Sequence, residues 1–117
     1  MRRLTLIALC ATLVLLASSL AGAAPTAKVK PVLIPITVAK GKIVGGIKRP
    51  KVKKGKLVRI IVTTDVGESI HLHGYDITKP VLRGKKVVIQ FTARLTGRFE
   101  VEMHRPDVVL AVISVTT

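Results

Sequence analysis

From Val32 to Val115 the sequence never sustains a helical period. Its apolar residues come in short, β-branched runs, each closed by glycine, proline or a pair of charged residues. A chain written this way buries its apolar side chains by pleating them between two sheets, so the expected fold is all-β, a small sandwich. Strands are expected at 32–38, 42–44, 47–52, 57–64, 70–75, 86–93, 98–104 and 108–115. The punctuation between them is Lys40-Gly41, Gly45-Gly46, Lys53-Lys54-Gly55, Asp65-Val66-Gly67, Lys79-Pro80 with Arg83-Gly84, Thr96-Gly97 and Arg105-Pro106-Asp107, each with turn chemistry. Pro31 and Pro35 mark the first strand as an edge or a bulged one, because proline has no N–H for a ladder. Trp is absent and there are only one Tyr and two Phe, so aliphatic side chains must fill most of the core.

The first residues read differently. Met1, Arg2 and Arg3 precede an apolar run from Leu4 to Leu16, and Ala21-Gly22-Ala23 precede Ala24-Pro25. That is the pattern of a secretory signal peptide cut after Ala23, and the run falls short of the roughly 20 residues a membrane span needs. Residues 1–23 are therefore expected to be the signal peptide, 24–31 a flexible tail and 32–117 the domain, in the periplasm or secreted and not membrane-spanning once cut. Cys10, the one cysteine, lies in the apolar run. The processed chain has no thiol for a disulfide, a metal or a nucleophile.

Charge is lopsided. Eleven lysines and arginines fall between Ala24 and Thr64 with no acid among them, whereas seven basic residues meet six acidic ones from Asp65 onward. Such a surface attracts polyanions, and lysine also blocks strand edges and aids solubility. For an exported chain the expected partner is an anionic envelope component or an acidic protein rather than nucleic acid. A metal-free interaction module using this basic face is the alternative function.

Alternation assigns faces. In 98–104, Phe99, Val101 and Met103 share the core side, while Arg98, Glu100, Glu102 and His104 point away. In 69–76, "SIHLHGYD", Ile70 and Leu72 take the apolar phase and His71, His73 and Tyr75 the other. Two strand rises put the histidine α-carbons roughly 7 Å apart, close enough for two imidazoles to share an ion at about 2 Å each. Equally, these residues fit an open sheet face, with His73 bonded to a loop carbonyl. Asp76 reads as a turn residue, Gly74 as the glycine that lets Tyr75 swing into the sandwich, and Glu100 and Glu102 as exposed partners of cross-strand lysine or arginine. No phosphate-cradling loop, nucleophile triad spacing or carboxylate pair points to an enzyme.

The segments "HLHGYD", "VVIQFTARLTGRFEVEMH" and "VVLAVISV", with F-x-A-x-x-x-G-x-F-x-V at 91–101, resemble the cupredoxin-like superfamily, in particular small exported members with a His-Gly-Tyr-Asp segment. The resemblance runs from about Val38 to Val115. It implies a Greek-key β-sandwich in which the 70–75 and 98–104 strands are neighbours in one sheet, and it implies a metal site, with copper as the expected ion, at His71, His73 and His104. Met103 stands near where a blue copper site has its cysteine, and is the weakest member of that set because alternation turns it inward. Without the thiolate, electron transfer of the blue copper type is not expected. Imidazoles alone would also accept zinc or nickel.

Overall fold

The computed structural model describes residues 21–24 and 27–117. Most of the expected signal segment, residues 1–20, lies outside the described residues. Among those described there are nine strands and no helix, so none contains a helix long and apolar enough to cross a membrane.

The strands are β1 (Val32–Ala39), β2 (Lys42–Ile43), β3 (Lys51–Lys53), β4 (Leu57–Thr64), β5 (Ser69–Leu72), β6 (Ile77–Pro80), β7 (Val87–Thr92), β8 (Gly97–His104) and β9 (Val108–Thr116). One sheet has the order β2-β1-β4-β7 and the other β3-β9-β8-β5-β6. The chain moves between sheets at β2–β3, β3–β4, β4–β5, β6–β7 and β7–β8. Two pairings are parallel, β1 with β4 and β3 with β9, which no hairpin can produce. The result is a Greek-key sandwich.

Alternation does what the sequence implies. Ile34, Ile36, Val38, Val58, Ile60, Val62, Val87 and Ile89 bury one face of the first sheet against Ile70, Leu72, Val101, Met103, Leu110 and Ile113 of the second. At about 25 cal/mol per Å² of apolar area, this interlayer is the main favourable term in folding. Among the described residues no polar or charged residue is buried and no buried side-chain polar atom lacks a partner.

β1 is an edge for most of its length. The two residues of β2 cover only Val38 and Ala39, so Pro35 sits where a missing donor on the open side costs nothing. The strand expected at 47–52 is interrupted: Lys48 bridges Ala111 and the ladder resumes at Lys51 opposite Ser114. Pro50 falls in the gap and contributes only its carbonyl, to Ser114 N–H at 3.0 Å. β6 was not expected, since Lys79-Pro80 reads as a turn; instead Pro80 ends an outer strand.

Tyr75 lies half-buried between Phe91 and Phe99, with ring centroids 4.6 and 4.8 Å away. Its hydroxyl donates to the Leu95 carbonyl at 3.2 Å and accepts from the Leu95 N–H at 3.1 Å. One side chain thereby fixes the β7–β8 turn. Tyr75→Phe keeps the ring and removes both bonds, so chemical denaturation should show a loss of about 1 kcal/mol; an unchanged midpoint would mean water replaces the hydroxyl at no cost.

Candidate metal centre

The candidate site lies on the outer face of the five-stranded sheet. β5 and β8 pair antiparallel, with Ser69 opposite His104, Ile70 opposite Met103, His71 opposite Glu102 and Leu72 opposite Val101. The neighbouring strands that the resemblance implies are therefore present. The pleat then fixes which side chains meet. Ser69, His71, His73, Glu100, Glu102 and His104 share the outward face, while Ile70, Leu72, Val101 and Met103 turn into the core.

Three of the four residues expected as ligands come together. The His71 and His73 ring centroids are 4.2 Å apart and those of His71 and His104 are 6.0 Å apart. Met103 is not with them: it is fully buried, with Sδ 3.7 Å from the Thr64 hydroxyl. A thioether on the inner face cannot reach an ion held outside the sheet, so alternation decides against it.

Each imidazole meets a carboxylate. His73 Nε2 lies 2.8 Å from Glu102 Oε2, His104 Nδ1 3.2 Å from Asp107 Oδ1, and His71 Nε2 3.7 Å from Asp76 Oδ1. The His73 contact replaces the loop carbonyl expected of it, and histidine replaces the lysine or arginine expected opposite Glu102. Asp76 is a turn residue as expected, at φ 53°, but its carboxylate faces His71 and caps no backbone amide among the described residues. The hydrogen bond from His104 holds the Asp107 carboxyl below its ordinary range, with the Arg105 N–H adding to it.

The acids are thus gathered. Asp76, Glu102 and Asp107 contact the three rings, and Glu100 lines an open depression of about 500 Å³ with His73, Gly74, Arg98, Phe99 and Val112. In a chain with formal net charge +14, an arriving cation meets carboxylates here.

An imidazole nitrogen about 2.1 Å from an ion places its ring centroid about 3.2 Å away, so two rings sharing a tetrahedral ion lie about 5 Å apart. The spacings of 4.2 and 6.0 Å bracket that value. Among the described residues, however, no three histidine, cysteine or acidic side chains already converge as a metal-holding group. The rings are turned onto their carboxylates. Carboxylates hold His73 Nε2 and His104 Nδ1, which leaves His73 Nδ1 and His104 Nε2 for an ion, whereas His71 Nε2 lies 3.7 Å from Asp76, too far for a hydrogen bond. Imidazole nitrogens are donors of the type a borderline transition metal takes.

Ser69 stands opposite His104, which faces Asp107, but among the described residues the serine hydroxyl makes no hydrogen bond to the ring.

No protein-family model matches the sequence, and no curated protein matches it. Solved structures do. The chain is similar to a copper-binding protein determined in its apo form, at 16% identity and TM-score 0.58, over 72% of this chain and 86% of that one. It is similar to the metal-binding domain of the Cu(I)-exporting P-type ATPase CopA of Streptococcus pneumoniae, solved with Cu(I), at 20% identity and TM-score 0.57, over 73% and 85%. A multicopper oxidase from Pseudomonas thermotolerans matches at 15% identity and TM-score 0.55, over 75% of this chain and 30% of the oxidase. The fold is the cupredoxin-like β-sandwich. At these identities the likeness speaks to the fold, and the ligand question rests on the chain's own residues.

Proposed function

We propose that this protein is exported and that its cupredoxin-like domain holds a transition metal ion, copper above all, through His71, His73 and His104, as a binding or buffering protein without catalysis or blue-copper electron transfer. The observation that carries the reading is the clustering of three outward imidazoles, two of them hydrogen-bonded to a carboxylate, on the face that holds four of the six acids of a basic molecule. Structural neighbours described as copper-binding lend it support.

The division of labour follows from the geometry. The imidazoles supply nitrogen donors suited to copper. Glu102 orients His73 by a short hydrogen bond, and Asp107 orients His104. Carboxylate backing fixes ring orientation and raises ligand basicity. Side chains 21%, 45% and 39% exposed, for His71, His73 and His104, leave the ion open to exchange with a donor or acceptor. That suits cargo better than a resident redox centre.

The test is spectroscopic and thermodynamic together. Copper(II) added to the purified protein should bind with one ion per chain and give only weak visible absorption, because the intense band near 600 nm requires a thiolate ligand. Acidification from about pH 7.5 to about 5.5 should release the ion, since ligation needs neutral imidazoles and protons compete for them. An intense blue complex, or copper retention indifferent to pH, would exclude this donor set.

A further inference from the structure

The histidine cluster leaves the lysines unexplained, and the fold gathers several of them at one end. The β3–β4 turn is held against the β7–β8 turn by Gly55 N–H donating to the Ala93 carbonyl at 2.8 Å and Ala93 N–H donating to the Lys56 carbonyl at 2.9 Å. Lys53, Lys54 and Lys56 therefore stand beside Arg94, all four exposed. The segment carrying Lys28 and Lys30 enters β1 at this same end, where Val32 pairs Val58 and Leu57 pairs Thr92. The one acid in the adjoining turns, Asp76, is turned toward His71.

A second observation is independent of charge. Leu95, at the tip of the β7–β8 turn, is 44% exposed although both its backbone groups are clamped by the Tyr75 hydroxyl. Val29 and Val32, where the chain enters β1 at this end of the sheet, are also exposed, at 69% and 37%. A leucine that the fold fixes in the open, on a turn clamped to one that carries Lys53, Lys54 and Lys56, of which Lys53 donates to the Thr117 carbonyl at 2.9 Å, matches the chemistry of a bilayer interface, where apolar tips enter the headgroup boundary and lysine and arginine meet lipid phosphates. Stacking of nucleic-acid bases would call for exposed aromatic side chains; Tyr75, the one tyrosine, is committed to Phe91 and Phe99.

We infer that this end of the sandwich, Lys53, Lys54, Lys56 and Arg94 around Leu95, is a docking surface for an anionic phospholipid bilayer. It does not depend on the metal reading.

The protein as isolated from its host should co-sediment with vesicles of phosphatidylcholine containing about 30% phosphatidylglycerol and far less with pure phosphatidylcholine. Binding should drop by about tenfold or more when salt rises from about 50 to about 500 mM, as the Debye length shrinks. The double substitution K54E/R94E should weaken vesicle binding at least tenfold, each cation near an anionic surface contributing roughly a factor of five. Leu95→Ser should weaken it several-fold, with melting temperature and copper titration unchanged in both. Equal binding to neutral vesicles, undiminished binding by K54E/R94E or by Leu95→Ser, or binding to heparin or an oligonucleotide but not to anionic vesicles would overturn the proposal.

Discussion

Alanine at His73 is expected to lower copper affinity by about 100-fold or more, since it removes both a donor and the ring that Glu102 orients. His71→Ala should do nearly as much, because His71 is the ring that neighbours both others, 4.2 Å from His73 and 6.0 Å from His104. The decisive result is in the double variant. One ion shared by three rings makes the losses strongly non-additive, so His71→Ala added to His73→Ala should cost less than about tenfold more. Glu102→Gln keeps every imidazole and removes only the charge behind His73, and a loss of about tenfold is expected from that alone. Isothermal titration with a competing chelator measures all four. Copper should also raise the wild-type melting temperature by mass action and leave the double variant unmoved. Independent, additive losses would mean separate weak sites on separate rings. Unchanged affinity throughout would remove the histidines from function and leave the carboxylate pairs as scaffold.

How far this site was legible depends on how locally each part is encoded. That His71 and His73 share a face follows from a period of two within one strand. That Met103 faces away from His104 follows from the same rule, and its full burial agrees. The carboxylate partners are another matter. His73 and Glu102 are far apart in sequence and meet through the β5–β8 register, which no single strand carries. The register of β9 on β8 also shifts between Val101 and Glu102, so that Ala111 faces one and Val109 the other. The run "VVLAVISV" is apolar in both phases and conceals that shift, which lies beside the candidate site as bulges often do. Residues with unambiguous alternation fared best: β4 falls at 57–64 as expected. β3 and β6 fared worst: the strand expected at 47–52 runs through Pro50, where the ladder breaks, and Lys79-Pro80 reads as a turn although an outer strand that needs few donors tolerates proline.

Gly74→Ala is expected to be a strongly damaging conservative change outside the core, and it joins the fold to the site. Gly74 sits at φ 82°, and a Cβ built there would lie 2.5 Å from Phe99 Cδ1 and 2.7 Å from Cε1. A left-handed backbone costs an alanine about 1 kcal/mol relative to glycine. Displacing Phe99 adds more, because its ring packs on Tyr75 at 4.8 Å, and overpacking of this kind costs about 1–3 kcal/mol. The sum, about 3 kcal/mol, is a large share of a small domain's stability and should lower the melting temperature by more than about 10 °C. Because the same turn begins at His73 and ends at Asp76, it should weaken copper binding too, in a variant that keeps every ligand. Phe99→Leu separates the two causes: it makes room for the methyl group without relaxing the backbone. In a double-mutant cycle, Gly74→Ala and Phe99→Leu should show a favourable coupling of about 1 kcal/mol or more, with the remaining deficit attributable to φ. Additive losses would place the whole cost in the backbone, and a stable Gly74→Ala protein would refute the close approach of this turn to Phe99.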